Sequence, residues 1–454
     1  MAADVSILTS AIRGRVLLPG DDGYDQARAV HNGAIDNRPT VIAQPANATE
    51  AVAALRFARD AGLSLSVRGG GHGVVGHATA GEVVIDLEAM RGVSVDPAAK
   101  TARVGGGARW SDVDVPTSEV GLAVPGGRVT HTGVGGLTLG GGDGWLSTRF
   151  GLTIDNLLGV ELVTADGRVL DVDAHSEPDL FWALRGGGGN FGIVTEFRFR
   201  LNEIGPLVLG GMLLYPLPLF PQVAAIMDEL VAADNDAFGG AMVLLSAPPL
   251  PFVPEEAHGK PVVAVVPAYT GDLDAGQRFI APLRERVTPV VDVVAPMPYS
   301  ILQSLIDDGN PDGLRNYWTT ALVKTSPAQM VDTYMGAAED FPTPFNNIVM
   351  APIGGAITRV PLEDTAFPVR EPVWFIHPIG RGADPSTDDA VKAWARGLGG
   401  QLRDVEVSTY LNGESDDAAR ITTAFSDARI DKLKKIKQSW DPDNVFRHCA
   451  NIAP

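Results

Sequence analysis

Five glycines, an arginine and two histidines are packed into Arg68-Gly69-Gly70-Gly71-His72-Gly73-Val74-Val75-Gly76-His77. Glycine at that density lets backbone N–H groups approach a ligand closely and admits positive φ. Successive N–H groups in such turns form a concave nest that suits a diphosphate. Gly71-x-Gly73-x-x-Gly76 also spells a dinucleotide fingerprint. That fingerprint works where a helix follows and presents its N-terminus to the pyrophosphate. Here the run Glu82-Val83-Val84-Ile85-Asp86-Leu87 reads as a strand, so a Rossmann unit is rejected. What remains is a strand–loop–strand able to hold a dinucleotide and to offer a histidine beside it. Taken alone, that histidine could equally cap a turn.

Two further glycine fields follow. Pro125-Gly126-Gly127-Arg128-Val129-Thr130-His131-Thr132-Gly133-Val134-Gly135-Gly136 runs on to Gly140-Gly141-Gly142-Asp143-Gly144-Trp145. Its interleaved Val, Leu and Trp argue against a flexible linker, and it reads as a long cofactor loop. Arg185-Gly186-Gly187-Gly188-Gly189-Asn190-Phe191-Gly192-Ile193-Val194 again spells the dinucleotide motif, but a helical run precedes it and a strand follows.

Arg68-x-Gly-Gly-His72 resembles the flavin-attachment loop of the berberine-bridge-enzyme-like oxidases, within the vanillyl-alcohol-oxidase and p-cresol-methylhydroxylase superfamily. The segment from Asp155 to Phe197 matches that family nearly word for word, and Tyr410-x-Asn412 and Asp441-Pro442-x-Asn444-x-Phe446-Arg447 match its tail. The resemblance implies FAD joined covalently through its 8α-methyl to His72. It implies a cradle of Gly69, Gly70, Gly71, Gly73, Gly76 and His77, of Gly127, Thr132, Gly133, Gly136, Gly141 and Gly142, and of Asn156, Gly189, Gly192, Ile193 and Val194. Arg68 adds charge near the phosphates or acts as a structural fork, and Asn412 bonds the pyrimidine side of the flavin or orients substrate. Doubly linked relatives carry a cysteine where this chain has Val129, so a single covalent bond is implied. The residue three further on, here Thr132, helps control oxygen access in the family. Many relatives follow the asparagine with a second tyrosine, where this chain has Gly413. For the catalytic base, Tyr410 ranks first by its motif. His377 follows, because an imidazole suits proton abstraction at neutral pH, and Tyr317 is third; each also has a reading as a buried, hydrogen-bonded core residue, which is the favoured one for His377 and Tyr317.

The elements that must position these residues follow from pattern. Leu63–Val67 and Glu82–Leu87 flank the first field as strands. Thr49 is a plausible cap for a helix with Val52, Leu55, Ala58 and Ala61 on one face, and Gly62 closes it. Val93–Asp96 and Thr101–Gly107 read as paired strands, Trp110–Val120 as a helix, and Asp166-Gly167 as a hairpin turn between apolar runs. From about Gly205 the glycine fields end, prolines crowd Pro206–Pro221 and Pro248–Pro261, and β-like runs appear. In Pro372–His377, Trp374 and Ile376 share one face of a strand and Phe375 and His377 the other. Asp388–Leu398 reads as a helix covering that sheet.

The implied fold is α+β. A two-lobed FAD-binding domain of the p-cresol methylhydroxylase type takes residues 1–204 and 405–454, and an antiparallel-sheet substrate domain covered by helices takes 205–404. A chain of 454 residues is long enough for this division. A net charge of −19 argues against nucleic acid or an anionic membrane as partner. A single cysteine, Cys449, excludes an intramolecular disulfide and a cysteine-based metal cluster, and no metal is expected. The start Met1-Ala2-Ala3-Asp4 lacks the pattern of a signal peptide, and no run of apolar residues is long enough to span a bilayer, so a cytoplasmic protein is expected. The implied reaction is two-electron oxidation of a small organic substrate, with hydride passing to flavin N5 and oxygen as acceptor. A dehydrogenase, a carbohydrate oxidase and a flavin-binding protein without turnover are the alternatives.

Overall fold

A computed structural model describes residues 4–233 and 235–454; Met1, Ala2 and Ala3, on which the reading of the N-terminus partly rests, lie outside them. The first glycine field hangs from a four-stranded sheet ordered Arg15–Leu17, Val41–Gln44, Val83–Asp86, Leu65–Arg68. The three strands around Val83–Asp86 are parallel. Helix Ala48–Asp60 covers this sheet through Ala51, Leu55 and Ala58. Its cap is Asn47 rather than Thr49: the side-chain Oδ1 of Asn47 accepts from Glu50 N at 3.0 Å. Glu50 reciprocates towards Ala46 N and the Asn47 amide, and this local network starts the helix earlier than Thr49 could. Gly62, at φ +67°, ends it.

A five-stranded antiparallel sheet follows, ordered Val93–Asp96, Thr101–Gly105, Ile193–Arg200, Leu157–Val163, Val169–Asp173. The Asp166-Gly167 turn joins the last two strands, with Gly167 at φ +81°. The second glycine field is not a continuous loop as the sequence suggests. Short helix Val134–Leu139 interrupts it and helix Ser147–Phe150 follows directly on it, because Val134, Leu139 and Leu146 find buried partners there.

An eleven-stranded sheet, antiparallel at every recorded pairing, dominates the remainder. Its axis is Phe238–Ser246, Asn347–Ile353 and Val373–Gly382. Helices Phe220–Ala232, Val331–Glu339 and Asp388–Leu402 pack on one face, where Met227, Tyr334 and Leu398 meet Met242, Met350, Trp374 and Ile376. Phe375 and His377 point to the other face, as the period-two reading requires. Strand Glu406–Ser408, beyond the residue 404 boundary, also belongs to this sheet through Ala321–Val323. The mixture of helices with largely antiparallel sheets is an α+β fold. Among the described residues no helix is long and apolar enough to cross a membrane.

Candidate active site

The free face of the large sheet overlies the glycine fields, and a cavity of about 760 Å³ lies between them. That volume suits a cofactor together with a small molecule. Gly69, Gly70, Gly71, His72, Gly73, Gly76 and His77 line it, as do Gly127, Thr132, Gly133, Gly136, Gly189, Gly192 and Val194. His377, Tyr410 and Asn412 line it too.

The glycines serve two distinct ends. A Cβ added at Gly73 or Gly136 would meet nothing within 4 Å and would project into open space. A Cβ at Gly70 would lie 2.4 Å from Gly133 Cα, so here the first and second fields cross backbone to backbone. A Cβ at Gly140 would lie 2.1 Å from Asn412 Oδ1, so the bare glycine admits that side chain. Gly141 and Gly142 stand just behind the lining; Gly142 N donates to the Tyr410 hydroxyl at 3.0 Å.

Several expected cofactor residues sit outside the cavity wall. Arg68 is buried against Asp86, 3.1 Å away, and donates to Ala29 O, which makes it the structural fork under the loop. Asn156 is turned inward, donating to Phe150 O and Leu152 O. Ile193 packs into the core beneath the four-stranded sheet. The neighbours of Arg68 and Ile193 in sequence, Val67, Gly69, Gly192 and Val194, reach the wall, so alternation directs these two away; the whole segment around Asn156 stays behind it.

His72 is flanked by residues without a local signature. The His31 ring stacks on it at 4.0 Å and 8°, and His131 lies 5.1 Å from it. His31 Nδ1 bonds Asp312 Oδ1 at 2.8 Å, and that bond holds the Asp312 carboxyl down to about 2. Burial and the neighbouring histidines hold His72 well below the usual imidazole range, so it is neutral. Its Nε2 is buried without a partner. The ring nitrogens of His31, His72 and His131 lie within 4.8 Å of one another, close enough to suggest a metal site. Stacked rings, however, send the in-plane lone pairs of His31 and His72 in parallel directions rather than towards one ion. At the other end of the cavity the Cys449 thiol is raised to about 12 by burial and directed at Asn190 Oδ1, 3.3 Å away, so it stays protonated.

The three candidate bases separate clearly. Tyr410 accepts from Gly142 N and from Asn412 Nδ2, each at 3.0 Å. Burial nevertheless raises it to about 12, so it keeps its proton at neutral pH. His377 is lowered to about 3 by burial and by Arg381 and Arg128, and its Nε2 is buried and unpartnered. A Cβ at Gly413 would lie 3.1 Å from His377 Nε2, so the imidazole sits against bare backbone there. Tyr317 faces away from the cavity. Its hydroxyl donates to Asp416 Oδ2 at 2.5 Å, and its ring packs on Val391 and Ala395 of the covering helix. The adjacent Trp318 takes the cavity face instead, since successive strand residues alternate.

The residues present fit FAD: an open glycine cradle, a neutral histidine with an unpartnered nitrogen, and an amide, Asn412, beside the second field. Comparison with known proteins agrees. The sequence model of the FAD binding domain matches residues 39–173, and that described as "Berberine and berberine like" matches 409–453. A FAD-linked oxidoreductase of Dictyostelium discoideum is 32% identical, covering 99% of this chain and 97% of its own. The (R)-6-hydroxynicotine oxidase of Paenarthrobacter nicotinovorans is also 32% identical, covering 98% and 97%. The crystal structure of 6-hydroxy-D-nicotine oxidase from Arthrobacter nicotinovorans superposes with a TM-score of 0.86 at 29% identity, covering 98% of both chains. Glycine cradle, returning tail and full-length likeness together place this chain among the berberine-bridge-enzyme-like FAD-linked oxidoreductases.

Proposed function

We propose that the protein is an oxidase that removes two electrons from a small, largely apolar organic molecule, with FAD bound covalently through His72 and oxygen as the final acceptor. The observation that carries this reading is the pairing, in one cavity wall, of a protonated Tyr410 with a neutral, unpartnered His377. FAD, held by the glycine fields and His72, would supply the electron sink for the hydride lost from the substrate carbon.

The chain's own residues do the rest. His377 is neutral at neutral pH and lines the cavity, and we assign it the proton that leaves the substrate hydroxyl or amine as the neighbouring C–H bond breaks. Both lone pairs of the Tyr410 oxygen are engaged by Gly142 N and Asn412, so its own hydrogen is left to orient the substrate heteroatom. Val243, Leu245, Val266, Val349, Phe375 and Ile379 form the wall above the glycine fields. Such a wall leaves the hydroxyls of a sugar unpaired, which favours an apolar substrate over a carbohydrate. Thr132, nearly the shape of valine, leaves room for oxygen.

A panel of hydroxylated and amino-substituted apolar compounds, scored by anaerobic bleaching of the flavin's visible absorbance and then by oxygen uptake, tests the reading. Bleaching followed by oxygen consumption is expected. Bleaching without oxygen uptake assigns a dehydrogenase, and a sugar as the best bleaching agent overturns the apolar substrate.

A further inference from the structure

The strand Val373–Gly382 presents Phe375, His377, Ile379 and Arg381 to the cavity in alternation. The last of these is out of place on an apolar wall. Arg381 is 2% exposed. Its Nε donates to Asn316 Oδ1 at 3.0 Å, Nη1 to Gly309 O at 3.1 Å and Nη2 to Asn310 Oδ1 at 2.5 Å. All three acceptors are neutral, and among the described residues no carboxylate lies within ion-pairing distance. Arg128, the other arginine lining the cavity, is by contrast paired with Asp143 at 2.8 Å.

A buried cation normally has a counter-ion, because neutral dipoles recover only part of its lost hydration. Burial draws Arg381 down to about 10, which still leaves it charged at neutral pH. The groups around it are held neutral: it contributes to the lowered pKa of His31, His72 and His377. Its guanidinium lies 5.7 Å from the Trp318 ring, which itself lies 5.2 Å from His377. Five N–H groups belong to a guanidinium, and three are engaged. The cation therefore retains donors, lies within reach of the proposed proton acceptor, and lacks an anion.

We propose that Arg381 is a substrate-recognition residue that receives a carboxylate, so that the preferred ligand is an apolar, ring-containing acid. This rests on the cavity being the substrate site of a flavin oxidase, and it narrows that substrate to a class. The guanidinium fork matches a carboxylate in a way that an ammonium does not, while the Trp318 ring and the aliphatic wall take the apolar body.

Flavin-loaded enzyme titrated with 2-naphthoate and with the isosteric 2-naphthamide tests the proposal, read by the flavin difference spectrum and by calorimetry. The acid should bind at least about ten-fold more tightly than the amide. Arg381→Met should abolish that preference while leaving amide affinity close to wild type, and Arg381→Lys should keep part of it. Because Arg381 also holds the 309–310 loop, the lysine variant, which keeps a donor there, guards against a folding defect. Equal binding of acid and amide by the wild type, binding of neither, or an acid preference surviving in Arg381→Met overturns the proposal. Protein purified without flavin would instead defeat the oxidase reading, and the calorimetric comparison would still decide the role of Arg381.

Discussion

The two walls of the cavity are built by opposite means. On one side three loops present backbone, and the side chains are removed: Gly73 and Gly136 open directly onto the space, while Gly70 and Gly133 are bare because two chains cross there. On the other side a continuous sheet presents side chains at every second residue, from Phe375 to Arg381. Backbone N–H groups are the same in any sequence, so the first wall suits a ligand that does not change. Strand side chains can be exchanged one at a time without moving the ladder, so the second wall suits a ligand that differs from one relative to the next. On the proposed reading, cofactor and substrate recognition are divided between these two kinds of surface.

The sharpest way to break that contrast is at a side chain the loop wall does present, His72. His72→Ala should leave the fold intact and release all colour on acid precipitation, whereas the wild type retains it. Colour retained by the variant, or a flavin peptide containing Cys449, would defeat a single bond at His72. On the sheet wall, His377→Gln should slow anaerobic flavin reduction by about 10²–10⁴, the usual loss on removing a general base. Tyr410→Phe should cost only about ten-fold, the worth of one neutral hydrogen bond. The opposite ranking would return the proton to Tyr410.

Thr132→Leu probes the loop wall from the oxygen side. Thr132 is only partly buried and lines the cavity, so the longer leucine should obstruct the approach to the flavin and slow stopped-flow reoxidation, by about ten-fold for each 1.4 kcal/mol added to the barrier, with the reductive step unchanged. No change would move the acceptor away from oxygen.

The smallest effect lies at the seam between the walls. Asp114 is fully buried and pushed up to about 8 by that burial, against the opposing bond from Gln303 Nε2 at 2.8 Å. A carboxyl raised in the native state stabilises it fully below the ordinary value of 3.8, and that contribution is lost as pH rises through 8. Asp114→Asn should therefore unfold at a temperature similar to wild type in acid and a few degrees higher above pH 8. Parallel melting curves across that range would refute a protonated Asp114.

The same division explains what was legible in the sequence. The loop wall demands a residue type, since only glycine allows Gly70 to touch Gly133, and the demand is written locally as clustered glycines. The α+β fold was implied by the family resemblance, and most strand positions were placed to within a few residues by their apolar runs. The sheet wall demands a face, and one residue of offset reverses it: Tyr317 was singled out, and Trp318 is the one that reaches the cavity. The partners of His72 were silent for another reason. His31 meets Asp312 across 281 residues of chain, and Arg381 is conspicuous only because no carboxylate folds back to it. Neither fact has a local pattern. Thr49 yielded to Asn47 because Glu50 could answer Asn47 from within the first turn.

The tail carries a consequence for biosynthesis. Lys437, fully buried, donates to Asn190 O at 2.7 Å, to Phe446 O and to Asp441. The Asn190 side chain in turn holds Ala450 O and accepts from Ile452 N at 2.9 Å. The Gly187–Gly192 turn is thereby clamped by residues made 247 and more positions later. During translation the sheets can form as they emerge, but the third side of the cradle has nothing to close it until the ribosome has passed Ile452. Removing residues 450–454 should therefore leave the sheets assembled and weaken the hold on flavin, read as flavin content of the purified truncated protein.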